Sequence, residues 1–426
     1  MIRFLLKGLL RDKSRSLVPM LVVAIGVMLA VFLQSYVKGL MGDLIEQTAN
    51  FSTGHMKVTT AAYAENMDQM PNDLALLGVT ELVDKLEHTF PQVEWETRIR
   101  FGGLIDVPDE NGETRSQGPA VGMGIDLLSE NSNEVKRLNL AKSLVRGSLP
   151  DKAGEVLLSE DFSQKLEVNP GDELTLIGST MNGGMAIYNF LLSGTVRFGT
   201  TALDRGTIIA DLADVQRALD MTDGASEILG FLKGGYYSDE NVAPIVAEFN
   251  KTFFNKDDEF SPVIMRLRDQ EGMGLYVDLS KSMGTIVIFV FIVAMSLVLW
   301  NAGLLGGLRR YGEIGIRLAM GEEKGHVYRS MIYEAVMIGI MGTILGTGVG
   351  LFFAWLMQEY GLDISEFTKN STSGVMLPNV IKTHITPATY YIGLIPGLIS
   401  TVVGTMLAGI GIYKRKTAQL FKELEA

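Results

Sequence analysis

Four long stretches without a single charged residue govern what this chain can fold into. Ser16–Val37, Ser282–Leu308, Ala335–Gln358 and Ile385–Tyr413 contain 22, 27, 24 and 29 residues and are rich in Leu, Ile, Val, Met, Phe and Gly. About 20 helical residues cross the hydrocarbon core of a bilayer, so each stretch is long enough to span it, the longer ones with tilt. A buried helix of a soluble protein accounts for one such stretch, not for four in one chain. The first exceeds the roughly 7–15-residue apolar region of a cleaved signal peptide, so it is expected to be a membrane anchor.

Orientation follows from Lys and Arg near the span ends. Arg3, Lys7, Arg11, Lys13 and Arg15 precede the first span, Arg309, Arg310, Arg317, Lys324 and Arg329 separate the second from the third, and Lys414, Arg415 and Lys416 follow the fourth. The connection Glu359–His384 has only Lys369 and Lys382 beside Glu359, Asp363 and Glu366. Both termini and the loop Arg309–Glu334 are therefore expected in the cytoplasm, and the 244 residues Lys38–Lys281 outside. The formal net charge of −12 divides along this topology: the cytoplasmic pieces carry 14 Lys and Arg against 7 Asp and Glu, the outer ones 23 against 42. An acidic outer domain without a basic stripe speaks against nucleic acid as a partner. The absence of cysteine excludes disulfides, thiolate metal sites and thiol catalysis.

The outer segment has the patterning of a folded α+β domain. His55–Thr59, Glu227–Leu232 and Pro262–Arg266 are expected strands. Val93, Trp95, Thr97 and Ile99 alternate at period 2, and Val79–Phe90 forms an amphipathic helix with Leu82, Val83 and Leu86 inward. Asn241–Phe253 is a second helix. Two strand–helix–strand units thus flank a middle piece, Asp106–Gly224, read as an inserted subdomain. Within it, the Asn169–Asp172 turn opens a strand at Glu173–Ile177, and a strand at Thr207–Ala210 runs into a helix at Leu212–Leu219.

Inside the membrane, Gly342, Gly346 and Gly350 form a ridge on one face of the third span. Ser400, Gly404 and Ala408 repeat the spacing in the fourth, after an expected kink at Pro396. The ridges serve either ordinary bundle packing or a movable seam. No Asp, Glu, Lys or Arg lies within a span, which speaks against a proton relay or ion path. Met1–Leu10, with Ile2, Leu5, Leu6 and Leu9 on one face, is either an interfacial helix or the basic flank of the first span.

No G-x-x-x-x-G-K-[ST], H-E-x-x-H or G-x-S-x-G occurs, so neither ATP hydrolysis nor metalloprotease or hydrolase chemistry has its motif here. Leu191-Leu192-Ser193-Gly194 matches part of an ABC signature but falls in an expected outer strand. No catalytic or metal-binding residue is expected.

The cytoplasmic run Arg309–Gly321 reads as a short charged helix projecting between two spans. Its pattern Arg310-x-x-Glu313-Ile314-Gly315-Ile316-x-x-Ala319-Met320-Gly321, followed by Glu334 and a glycine-rich span, resembles the signature of FtsX/MacB-type ABC transporter permeases. Four spans with one large outer domain after the first match that superfamily too. Gly54–Val58, Gly147–Pro150, Glu155–Leu158, Leu166–Asp172 and Asp211–Leu219 resemble its lipoprotein-releasing LolC/LolE branch. Unlike that pattern, the exit Tyr413–Thr417 has no proline, and the Glu359–His384 connection is long at 26 residues.

The resemblance implies a membrane α-helical protein of four transmembrane helices plus a large α+β extracytoplasmic domain split by an inserted subdomain. It divides the chain into 1–45 (interfacial helix and first span), 46–105 with 225–270 (porter-like), 106–224 (insertion) and 271–426, in which 309–329 holds the coupling helix. That helix would dock on a separate ABC ATPase, which alone carries ATP and Mg, leaving this chain without a cofactor. The resemblance further implies a second permease copy or paralogue, a periplasmic acceptor or adaptor, and a bacterial inner membrane. Val31, Phe32, Tyr36, Ile286, Phe289 and Val290 either line a portal for lipid-attached cargo or merely pack and face lipid. The function implied is ATP-driven mechanotransmission extracting lipoproteins. The alternatives are peptide or antibiotic efflux with an adaptor, and an FtsX-like scaffold driving a cell-wall hydrolase.

Overall fold

The computed structural model describes residues 13–109, 111–129, 132–199, 201–270, 272–308, 311–364 and 380–414. Met1–Leu10 and Arg309 and Arg310 lie outside them, as do the residues after Lys414. The chain divides into two units: Met1–Gly42, Leu279–Asp363 and Val380–Ala426 form one, and Asp43–Asp278 with Ile364–Asn379 the other.

Among the described residues, the first unit holds four helices long and apolar enough to cross a membrane. The first three belong to α1 (Lys13–Thr48), α5 (Met273–Leu308) and α7 (Lys324–Tyr360). The fourth opens with a 3-10 turn at Pro387–Tyr390, widens into a π-turn at Ile395–Ser400, and becomes the regular α8 at Thr401–Lys414. The irregularity sits on Pro396, whose missing N–H and ring prevent an ordinary turn. The glycines of α7 explain how α7 and α1 approach each other. A Cβ at Gly342 would lie 2.7 Å from Val23 Cγ1, one at Gly350 2.9 Å from Val31 Cβ, and one at Gly346 2.8 Å from Val27 Cβ. Three valines one turn apart thus seat on three glycines one turn apart. A Cβ at Gly26 of α1 would meet Met295 of α5 at 2.9 Å, and one at Gly404 of α8 the Trp300 carbonyl at 2.6 Å.

The second unit is built on one sheet path, β10-β1-β9-β2-β3-β8-β5-β7-β4, with β6 bridging β2 and β7. The strands are β1 (Met56–Thr60), β2 (Val93–Pro108), β3 (Thr114–Ile125), β4 (Leu144–Gly147), β5 (Glu155–Ser159), β6 (Glu173–Ser179), β7 (Met185–Val196), β8 (Thr207–Asp211), β9 (Glu227–Leu232) and β10 (Pro262–Arg266). The Leu191–Gly194 run lies within β7. Helices α2 (Val79–Thr89), α3 (Leu212–Ala218) and α4 (Asp239–Phe253) pack on the sheet, with Val79 and Leu86 of α2 and Val242, Ile245 and Phe249 of α4 buried. Leu82 and Val83 are only partly buried against this core.

β2 is the hinge of the topology. Val93–Arg98 pair with β9, and from Ile99 the same strand pairs with β3. This change of partner falls between Arg98 and Ile99. A single apolar cluster runs from Met56 and Val58 through Ile99 and Ile105 to Leu158, Ile208 and Val215. The chain from Asp43 to Asp278 accordingly forms one unit. Where β2 changes partner, Arg98 is wholly buried and donates to both oxygens of the buried Glu134 at 2.8 and 3.0 Å. Its position breaks the period-2 alternation: Arg98 and Ile99 are both buried, so at this point both faces of β2 are covered.

Candidate functional site

α6 (Tyr311–Ala319) carries most of the expected coupling residues. Ile314 is buried against Val327 and Met331 of α7, with Leu318 beside it one turn on. Gly315 is buried too, whereas Ile316, Ala319 and Met320 are exposed, Met320 to 75%. Spacing explains this division: positions 314 and 318 share one face, 316, 319 and 320 another. Arg310 lies outside the described residues, as does the side chain of Glu313.

The helix is closed by backbone geometry. Gly321, at φ +93°, donates to the Leu318 carbonyl at 3.1 Å, and Glu322 N–H reaches back to the Arg317 carbonyl at 3.1 Å. These two bonds make a Schellman motif, which needs the left-handed residue that glycine supplies. Arg317 then clamps the turn by donating to both carboxylate oxygens of Glu322 at 2.6 and 2.7 Å. The guanidinium holds the Glu322 carboxyl below the usual carboxylate range. Glu322 went unnoticed in the sequence because it stands past the glycine, where no helical spacing relates it to Arg317.

The second unit has its own joint, between the end of α1 and the sheet. α1 continues into a π-turn at Ala49–Thr53, ended by Gly54 at φ +60°. Glu46 receives His55 Nε2 at 2.9 Å and the Tyr237 backbone N–H at 2.6 Å. Because Leu232 N–H donates to His55 Nδ1 at 3.0 Å, the ring's own proton belongs on Nε2, facing Glu46. Tyr236 donates to Asp43 at 2.7 Å. Burial, and then this bond, pushes its phenol well above the ordinary range. At the start of α5, Arg268 ties Asp239 at 3.0 Å to Asp278 at 3.0 Å, while Gln270 Nε2 donates to the Thr53 carbonyl at 3.0 Å. Ile45, Ala49, Leu229, Phe231, Leu267 and Val277 form the apolar centre of this joint. His55 stood in the sequence as a strand residue; only the fold gives it Glu46, nine residues earlier.

The expected portal residues separate. Val31 is fully buried, and a Cβ at Gly350 would lie 2.9 Å from its Cβ. Phe32 stacks with Tyr36, ring centres 6.5 Å apart, and both are half-buried. Ile286, Phe289 and Val290 are exposed on α5. Of the fourth-span residues, Gly404 and Ala408 are buried, whereas the Ser400 hydroxyl bonds back to the Ile395 carbonyl at 3.2 Å within the π-turn.

Among the described residues, four membrane-length helices, a short amphipathic helix closed by a glycine motif and a large α/β domain are the parts of a multi-pass membrane protein. A MacB-like periplasmic core domain profile matches residues 16–249, and an FtsX-like permease C-terminal profile matches residues 285–417. The chain belongs to the FtsX/MacB superfamily of ABC-type permeases. It is similar to the lipoprotein-releasing system transmembrane protein LolC of Xylella fastidiosa, with 24% identity over 57% of this chain and 58% of that one. It is also similar to the macrolide export ATP-binding/permease protein MacB of Psychrobacter arcticus, with 20% identity over 85% of this chain and 52% of that one. The chain thus spans about half the length of these curated relatives. Among solved structures, the periplasmic region of MacB from Actinobacillus actinomycetemcomitans matches with a TM-score of 0.36 and 13% identity, over 57% of this chain and 97% of that one.

Proposed function

We propose that this chain is the membrane subunit of an ATP-driven complex in a bacterial inner membrane, with both termini cytoplasmic and the α/β domain periplasmic, and that it extracts lipoproteins from the outer leaflet. The observation that carries this reading is α6: a short helix anchored on α7 through Ile314, clamped by Arg317 and Glu322, with Ile316 and Met320 turned outward. A rigid helix with an exposed apolar edge is suited to seat in a groove of a separate ATPase, which would hold ATP and Mg. This chain acts in a dimer with a second copy or a paralogue and needs no cofactor of its own. ATPase closure pushes α6, and the joint formed by Glu46, His55, Arg268 and Asp278 passes the push into the sheet. The LolC relative supports a lipoprotein cargo. Alignment with the MacB relative over 85% of this chain supports a second reading, efflux with a periplasmic adaptor.

Co-expression with the cognate ATPase tests the docking assignment. The double variant Ile316→Asp, Met320→Asp should lower ATPase recovery about tenfold or more, as expected for a lost apolar anchor, while membrane insertion is unchanged; undiminished recovery would sink the assignment. A photo-crosslinker at Phe289 should capture lipidated but not unlipidated protein. Equal capture of both argues for efflux or for an FtsX-like scaffold instead.

A further inference from the structure

A cavity of about 410 Å³ opens in the α/β unit beside the π-turn that ends α1. Two cations on its wall share one carboxylate. Lys57 of β1 places Nζ 2.6 Å from one oxygen of Glu227, and Arg100 of β2 places Nε 3.2 Å from the other. Lys57 is 6% exposed and Glu227 2%, so this pair lies well below the surface. Arg100 also donates through one Nη to the Phe51 carbonyl at 2.5 Å. Two of the three Lys57 protons, the other Arg100 Nη and the Ser52 hydroxyl have no partner among the described residues. At this depth of the wall two cations face the single carboxylate of Glu227, and the donors left over are open to the cavity, where an acceptor with several oxygens can take them in place of water. Burial, opposed by Glu227 and reinforced by Arg100, pushes the Lys57 ammonium below its usual range. For Glu227, burial is outweighed by Lys57 and Arg100, which bring its carboxyl down to about 2. The carboxylates of Glu65 and Asp68 stand at the exposed mouth, where salt screens them. Met67, Met70 and Met273 supply apolar wall.

We propose that this cavity binds a phosphate-class oxyanion, received by the Lys57 ammonium, the free Arg100 Nη and the Ser52 hydroxyl, with the methionines against whatever body carries it. Arginine and lysine together suit an acceptor with several oxygens, since the guanidinium fork and the ammonium reach different ones. The site is independent of the cargo and of the docking of α6. Free inorganic phosphate and the phosphate of an anionic lipid headgroup share the chemistry.

Amine acylation of the full-length protein, read at Lys57 by peptide mass spectrometry, tests the site. In detergent at constant ionic strength, inorganic phosphate should slow acylation of Lys57 about tenfold while leaving the surface residue Lys85 unaffected. The concentration giving half-protection should rise about tenfold in Arg100→Gln, as one charge-assisted hydrogen bond implies. In a second arm without phosphate, nanodiscs of phosphatidylglycerol are compared with nanodiscs of phosphatidylcholine. Protection by phosphate identifies a free oxyanion, and protection by phosphatidylglycerol alone a headgroup. No protection in either arm, or phosphate protection unchanged in Arg100→Gln, overturns the proposal. If Arg100→Gln does not fold, protection in the unaltered protein decides it.

Discussion

Adding one methyl group to Gly346 should separate two membrane helices. Its Cβ would press on the Ala24 carbonyl, a backbone atom that cannot rotate away, and would lie 2.8 Å from Val27 Cβ. Ordinary carbon–carbon contact is about 3.5–4.0 Å, so α1 and α7 would have to part by roughly 1 Å. A gap of that size forfeits about a quarter to a half of each dispersion contact. Spread over the seam of Val23, Val27 and Val31, with roughly 20 contacts each at about 0.1–0.2 kcal/mol, the loss comes to about 1.5–6 kcal/mol. Overpacking of cores costs a similar amount, about 1–3 kcal/mol. The same helix contains its own control, because a Cβ at Gly348 would meet nothing within 4 Å. Gly348→Ala should therefore be neutral or slightly stabilising through helix propensity. Thermal unfolding of the full-length protein in nanodiscs compares the two variants with the parent. If Gly346→Ala unfolds at the same temperature as Gly348→Ala, the glycine ridge does not set the α1–α7 distance and the reasoning fails.

Three further outcomes follow from the charged groups. Burial, then the neighbouring Glu134, raises the Glu96 carboxyl to about 7. The folded protein thus keeps a proton there that the unfolded chain loses near 4.5. This contribution is complete below pH 4.5 and lost as pH rises through 7, on the order of 3 kcal/mol in all. Glu96→Gln should flatten stability between pH 5 and 8 and raise it at pH 8; an unaltered pH profile would remove Glu96 as its source. Arg98→Met should cost about 3 kcal/mol by leaving the buried Glu134 with only the longer Arg137 contact at 3.6 Å, whereas Arg98→Met with Glu134→Leu should recover much of the loss; melting of all three proteins measures it. Arg317→Ala should cost less than about 1 kcal/mol, since the pair with Glu322 is partly exposed, yet should speed amide exchange at Gly321 and Glu322.

The elements of the outer domain were legible because their signal is local. Glu227–Leu232 and Pro262–Arg266 alternate or run apolar over a few residues between turn-forming neighbours, and both are strands with those bounds. The expected helix from Asn241 begins two residues earlier, at Asp239. Less legible was the joining of elements. β2 is one strand of 16 residues, and nothing in its own sequence says that its partner changes after Arg98. Of the cytoplasmic run, a short charged helix was legible from composition, but neither the face of α6 that is exposed nor its lock was. Val31 could be given a face only once Gly350 was known to oppose it.

Sequence by itself determined the four spans, the acidic outer domain and the periodic faces of single helices and strands. Each of these depends on length, charge or spacing within one segment, and a bilayer or a pleat imposes them wherever the segment lies. Tertiary structure alone decided which groups meet: Glu46 with His55, Arg98 with Glu134, and Lys57 and Arg100 on the one carboxylate of Glu227. Those pairings come from strand order and helix packing between residues far apart in the chain, and no local periodicity encodes a partner on another strand.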